Sequence, residues 1–407
     1  MPEAVIVATA RSPIGRAFKG SLKDIRPDDI TSQVVSAALA KVPQLDPAGI
    51  DDLMLGCGLP GGEQGNNLAR VVAVQLGLDG VPGTTLTRYC SSSLQTTRMA
   101  YHAIKAGEGD VFVSAGVEMV SRFTKGNSDS LPDTKNPLFS EAEERTAKRA
   151  EGGAEKWHDP RQDDRLPDVY IAMGQTAENV AQIRGISRRR QDEFGVRSQN
   201  LAERSVDNGF WNREITPVTL PDGTVADTDD SPRRGTTYEK VSQLEPAFRP
   251  DGTVTAGNAC PLNDGAAALV IMSDTKAAQL GLTPIARIVS TGVSALSPEI
   301  MGLGPVEASR QALARANMSI TDIDLVELNE AFAAQVLPAA DELGIDIDSQ
   351  LNVNGGAIAV GHPFGMTGAR ITGTLLNGLD FHDKTFGLET MCVGGGQGMA
   401  AVFERLS

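Results

Sequence analysis

Cys90, His362 and Cys392 are the residues of this 407-residue chain whose types and settings suit chemistry. Cys90 lies in Thr-Arg-Tyr-Cys-Ser-Ser-Ser, His362 in Gly-His-Pro-Phe-Gly, and Cys392 in Met-Cys-Val-Gly-Gly-Gly-Gln-Gly. One thiol to carry an acyl group, an imidazole to activate it and a second thiol to move a proton make an acyl-transfer set. Cys90 follows a strand and opens a helix, where free backbone N–H groups and the positive helix end favour a thiolate. Its pKa is therefore expected to fall from about 8.5 toward neutrality. The competing reading of Cys90 is a small buried hydrophobe. Gly361, Pro363 and Gly365 make a rigid turn around His362, and a histidine near neutral pKa is the usual base for a cysteine nucleophile. Alone, it would read as a structural histidine. After Cys392, the amides of Gly394-Gly395-Gly396 can come close to a ligand and donate to a developing oxyanion. A dinucleotide-type phosphate loop does not fit there, because only one short strand, 399–403, follows. Asn329, in Asn-Glu-Ala-Phe after the apolar run 325–328, can position a water or donate to a carbonyl, or cap a turn.

The elements that must position these residues occur twice. Ala38-Leu39-Ala40-Lys41 followed by Ile50-Asp51-Asp52-Leu53 is echoed by Ala312-Leu313-Ala314-Arg315 followed by Ile323-Asp324-Leu325-Val326. The two offsets, 312 − 38 = 274 and 323 − 50 = 273, nearly agree. In the first half a strand at 84–87 leads through Cys90 into a helix with Leu94, Thr97, Tyr101 and Ile104 on one face. In the second, a strand at 351–353 leads through the loop of His362 into a helix over about 365–376. Each half then ends on a strand and a glycine turn, which puts Cys392 near the place of Ala115. Between the halves, 121–259 breaks the pattern and is expected to form a separate loop or lid domain. It holds a charged run, 141–149, that reads as a solvated helix face, and a helix from Ser187 to Asn208 closed by Gly209. The expected domains are 1–120, completed by about 260–284, then 121–259, then 285–407.

Composition narrows the partners. A formal charge of −15 argues against nucleic acid, whose phosphates need a basic surface. With 41% hydrophobic residues, 43 glycines and no apolar run near the roughly 20 residues of a membrane span, an α/β protein without a transmembrane segment is expected. Neither a signal peptide nor a peroxisomal address is read at the ends. Cys57, Cys90, Cys260 and Cys392 are widely spaced and form neither a disulfide framework nor a zinc pair, so a reducing cytoplasm is the expected compartment and no metal is expected.

Taken together, these residues resemble the thiolase family. Cys90 with its serine-rich turn, Asn-Glu-Ala-Phe at 329–332, Gly-His-Pro-Phe-Gly at 361–365 and Cys-Val-Gly-Gly-Gly-Gln-Gly at 392–398 occur in the family's order, and Gly-Asn-Ala-Cys-Pro-Leu-Asn-Asp-Gly-Ala-Ala at 257–267 adds a fifth match. The resemblance implies a five-layer αβαβα fold of two similar halves with an inserted loop domain. It also implies an acetyl-CoA C-acyltransferase that cleaves 3-ketoacyl-CoA with CoA, or runs the reverse condensation to acetoacetyl-CoA. The alternative from another class is a non-catalytic acyl-CoA-binding subunit of the same fold. By resemblance His362 activates Cys90, Cys392 moves the α-proton, His362 and a water on Asn329 hold the enolate, and the N–H groups of Cys90 and Gly394 form a second oxyanion hole. Coenzyme A is a substrate, with no prosthetic group. A homodimer or homotetramer is implied, with β-oxidation enzymes as associates. Arg233 or Arg234 is expected at the CoA phosphates, and Phe248 and Met301 along the pantetheine and acyl channel. Three residues depart from the family pattern. Ser93 replaces a glycine and is expected to narrow the space beside the nucleophile. Cys260 replaces a serine that contacts pantetheine. Ala172 stands where short-chain biosynthetic members carry histidine, which favours a degradative enzyme with a wider acyl range.

Overall fold

Val5, Val7, Leu53, Leu55, Val113 and Val270 pack in one core, while Ile6, Met54, Phe112, Leu269 and Ile271 pack in another. That alternation is the period of two by which a strand sends successive side chains to opposite faces, and both faces of these strands are covered. The computed structural model describes residues 2–127, 131, 133–153 and 155–407.

The first half contributes β1 (Ala4–Arg11), β2 (Asp52–Cys57), β3 (Gly83–Leu86), β4 (Val111–Met119) and β5 (Asn263–Ser273); the second contributes β6 (Ala286–Ala295), β7 (Leu325–Leu328), β8 (Phe386–Val393) and β9 (Gln397–Arg405). With a short strand at Gly15–Arg16 they form one ten-stranded sheet in the order β7-β8-β9-β6-β1-β5-β4-β2-β3. Its two halves share one plan. Within the first the order is β3-β2-β4-β5-β1, and within the second it is Leu351-β7-β8-β9-β6, where Leu351 joins Val326 by a single parallel bridge. The halves meet where β1 and β6 pair antiparallel at Val5–Arg287 and Ile6–Ala286.

Helices supply the remaining layers. Helices α1 (Pro27–Ala40) and α2 (Leu68–Gln75) cover the outer face of the first half, and α3 (Ser92–Ala106) lies between the halves. Helix α4 (Met173–Arg184) and α5 (Arg188–Asp207) belong to the insertion; α6 (Gly304–Ala316) and α7 (Ala333–Leu343) cover the outer face of the second half; and α8 (Thr367–Phe381) is the central partner of α3. Five layers, αβαβα, result. Helix α1 begins at Pro27, because proline needs no N–H partner in a first turn, and Asp28 and Asp29 face the positive helix end.

The repeat read from the sequence is thus structural, with two corrections. No strand forms at 351–353: Asn352 takes φ 42°, which ends the extended run after Leu351. Register also moves Cys392. Leu55 pairs with Ala115 and Leu328 with Thr390, so Thr390 stands at the level of Ala115 and Cys392 two residues beyond it. The insertion's anchor includes Arg11, whose buried guanidinium donates to Glu214 at 2.6 Å and to both oxygens of Asp229 at 2.8 and 2.9 Å. Ser187 caps α5 by accepting from Arg190 N, and Gly209 follows its end at φ 78°.

Candidate active site

Cys90 sits in a single 3-10 turn, Tyr89–Ser91, between β3 and α3. The backbone N–H groups of Gly394 and of Cys90 itself lie near enough to its sulfur to favour the thiolate. Gly394 follows β8, so the first half provides the thiol and the second provides a donor. The turn opens on a cavity of about 820 Å³ lined by Cys90, Tyr89, Ala172, Met173, Phe364 and Gly394, among others.

The expectation that the helix end lowers the Cys90 pKa is not met. Burial pushes the thiol up to about 11, and the Gly394 and Cys90 amides only partly oppose it. Desolvation of the thiolate outweighs the partial charges of a short turn. Burial likewise pushes His362 down to about 3, with help from the Arg370 charge. The resting pair is therefore a neutral thiol and a neutral imidazole.

His362 is 1% exposed. Its Nε2 lies 3.3 Å from Asn329 Nδ2, its Nδ1 2.6 Å from Thr367 Oγ1, and its backbone N–H donates to Asn263 Oδ1 at 3.0 Å. Among the described residues no hydrogen bond joins His362 directly to Cys90 Sγ, an arrangement that catalytic pairs commonly reach only with substrate present. Cys392 accepts from Gln335 Nε2 at 2.6 Å, and burial together with Cys90 and Cys260 pushes its thiol well up. Cys90, Cys260 and Cys392 thus lie within electrostatic reach of one another.

The remaining expected residues divide. Cys260 is partly exposed, its N–H bound to Ala331 O at 3.0 Å, and its thiol is pushed up by burial and by Cys90. Phe248 is exposed above Gly174 and meets Phe332 edge to face at 6.0 Å. Met301 is buried, packed with Ala331, Phe332 and Cys392. Arg234 is held by Glu203 and Asp207, whereas the exposed Arg233 side chain makes no ion pair among the described residues. Ser93 does not narrow the space beside the nucleophile. Its fully buried Oγ turns away and accepts the Ala369 N–H, in the first turn of α8, at 2.9 Å. Helices α3 and α8 meet so closely there that a Cβ on Gly368 would lie 2.2 Å from Leu94 N.

Sequence reasoning missed the groups that hold these turns. Glu118, fully buried, accepts from Gly58 N at 2.6 Å, Leu59 N at 3.3 Å, Gln64 at 3.0 Å and Gly365 N at 2.9 Å, joining the wall behind Cys90 to the turn of His362. Gln335 and Thr367 sit in first helical turns, where a polar side chain reads as a cap. Asn263 lay within the 257–267 motif, yet nothing in its spacing pointed to His362. Among the described residues no group of three or more His, Cys, Asp or Glu side chains is arranged to hold a metal ion, and no helix is long and apolar enough to cross a membrane.

Comparison with known proteins agrees with this fold. Residues 4–275 match the family description "Thiolase, N-terminal domain" and residues 282–405 "Thiolase, C-terminal domain". A 3-ketoacyl-CoA thiolase of Saccharophagus degradans is 42% identical over 99% of this chain and 98% of its own, and one of Bacillus subtilis is 40% identical over 99% and 100%. The dimeric peroxisomal thiolase of Saccharomyces cerevisiae superposes with a TM-score of 0.88 at 34% identity, covering 99% of this chain and 98% of that one. The acetyl-CoA acetyltransferase of Bacillus anthracis gives 0.85 at 38%, covering 100% and 99%.

Proposed function

Because the chain belongs to the thiolase family, we propose that it cleaves 3-ketoacyl-CoA with CoA to acetyl-CoA and a shortened acyl-CoA, in degradation of the β-oxidation type. It is an acyltransferase. The observation that carries the reading is Cys90 at the wall of a cavity of about 820 Å³, with the Gly394 and Cys90 amides near enough to its sulfur to favour the thiolate. Donors beside the sulfur to which the acyl carbon bonds also lie near where the oxygen of a tetrahedral adduct would develop charge, and removing one oxyanion donor typically costs ~3–4 kcal/mol of transition-state stabilisation.

The proposed cycle assigns a role to each of the groups present. His362 takes the Cys90 thiol proton as sulfur bonds to the keto carbon; the bond between that carbon and the α-carbon breaks, and Cys392 gives its proton to the enolate, releasing acetyl-CoA. The enolate oxygen is held by His362 and a water on Asn329. The CoA thiol then loses its proton to the Cys392 thiolate and attacks the acyl-Cys90 thioester. Cys90 leaves as thiolate and recovers its proton from His362. A neutral starting pair suits this sequence, since each group changes charge only as the chemistry demands it.

The volume of the cavity and the small Ala172 on its wall support a longer acyl chain over acetoacetyl-CoA alone. Of the two arginines, Arg233 is proposed for the CoA phosphates, its exposed side chain making no ion pair among the described residues, and Phe248, Cys260 and Met301 are proposed along the pantetheine path; none of the four is among the residues that line the cavity of Cys90. The segment 121–259 acts as the loop domain over that path. A homo-oligomer is supported by the likeness to the dimeric peroxisomal thiolase of Saccharomyces cerevisiae, and the cytoplasm is the proposed compartment. Purified protein assayed with CoA and 3-ketoacyl-CoA of graded length should cleave medium and long chains. Turnover confined to acetoacetyl-CoA would favour the biosynthetic reading, and no turnover with any chain would leave a non-catalytic acyl-CoA-binding subunit.

A further inference from the structure

Which ring nitrogen of His362 bears the proton decides whether a base faces the site. Nδ1 lies 2.6 Å from Thr367 Oγ1. The one hydroxyl hydrogen of Thr367 is already committed: it is donated to the Pro363 carbonyl at 2.8 Å, and a carbonyl oxygen can only accept. Oγ1 therefore turns a lone pair to the ring, and a lone pair at that distance requires a hydrogen on Nδ1. In a neutral imidazole this leaves Nε2 bare. The other side of the ring agrees, because Nε2 meets the amide nitrogen of Asn329, a donor, at 3.3 Å.

We propose that Thr367 is a positioning residue that sets His362 as the Nδ1–H tautomer, so that the Nε2 lone pair is the one offered to the Cys90 proton. The inference rests on the reading of His362 as the base for Cys90. Its local basis is the first turn of α8: Thr367 reaches back four residues to Pro363, a side-chain bond that serine can also make and valine cannot. The arrangement serves both protonation states. When Nε2 takes the thiol proton, Nδ1–H still donates to Thr367 and the threonine hydrogen still points at Pro363, so nothing has to reorient during the transfer. Arg370, three residues further along α8, reinforces the neutral state. It is 1% exposed, its three guanidinium nitrogens have no hydrogen-bond partner among the described residues, and its charge acts on His362 while facing Glu327 and Glu214.

Full-length protein labelled with 15N-histidine, examined by solid-state NMR near neutral pH, reads the tautomer directly, with His362 assigned by its loss in His362→Asn. Wild type and Thr367→Ser are expected to show a pyrrole-type Nδ1 and a pyridine-type Nε2. Thr367→Val, which keeps the shape and loses the hydroxyl, should show protonated Nε2. Its kcat for thiolysis should fall roughly 10–100-fold with little change in KM, while Thr367→Ser stays close to wild type. Protonated Nε2 in the neutral wild-type ring would overturn the proposal. So would native tautomer and rate in Thr367→Val, or an equal loss in Thr367→Ser. Should Thr367→Val not fold, the spectra of wild type and Thr367→Ser decide. Undiminished activity in His362→Ala would instead overturn the reading of His362 as base, which the spectrum does not address.

Discussion

The turn that carries Cys90 and the turn that carries His362 stand at equivalent places in the two halves, and they are held in opposite ways. Every residue of β3 is only partly buried, and Tyr89, at φ 43°, leaves 42% of its surface exposed where the cavity opens. The second turn starts from the fully buried Leu351, and its backbone is gripped from three directions: Glu330 takes the Ile358 N–H, Asn263 the His362 N–H and Glu118 the Gly365 N–H. A nucleophile has to admit a substrate, whereas a base has to keep one orientation. On the proposed roles, two copies of one supersecondary plan have been loaded with side chains for those separate tasks.

The sharpest way to break the contrast is at the residues themselves. Cys90→Ala should abolish turnover and remove the acyl adduct seen in the intact mass after exposure to 3-ketoacyl-CoA alone; an adduct that persists would place the acyl group elsewhere. His362→Ala should lower kcat by roughly 10²–10⁴-fold, the usual range for losing a general base, while the adduct still forms slowly on Cys90.

Protonation gives a graded test. With Cys90 held up at about 11, only a small fraction is thiolate in the free enzyme near neutrality. The rate of alkylation by iodoacetamide should therefore climb roughly tenfold per pH unit between pH ~6 and ~9 without levelling off. A plateau below pH ~8 would mean a preformed thiolate and imidazolium. For His362 the sign runs the other way on stability. Its folded pKa of about 3 lies below its unfolded value, so the unfolded chain binds more protons in that window, and this group's contribution is lost as pH falls from ~6.5 toward ~3.

The smallest expected effect is at the seam between the turns. Ser93→Ala leaves the buried Ala369 N–H without its acceptor, which should cost about 1 kcal/mol, read from a denaturant melt. A melt identical to wild type would show that the seam is held by the packing of Gly368 on Leu94 alone.

Much of this was legible in the chain. The offsets of 274 and 273 residues located the two halves, since each repeats a helix feeding a buried strand and both patterns are local. Cys90, Asn329, His362, Cys392 and Gly394 could be singled out because each sits in a turn of glycine, proline or small polar residues, whose backbone demands are written in adjacent positions. The edge strand expected at 351–353 was not legible, because one positive φ at Asn352 ends it. Nor was the direction of Ser93, which answers to a helix 276 residues away.

The sequence by itself determined which residues are proposed to carry chemistry and that they come from two similar halves. The tertiary structure alone decided the direction of their pKa shifts, the partners from which the tautomer of His362 is proposed and the clamp of Glu118 across the seam. The physical reason is that desolvation depends on what surrounds a group in space, and hydrogen-bond roles depend on partners such as Gly365, 247 residues from the carboxylate that holds it.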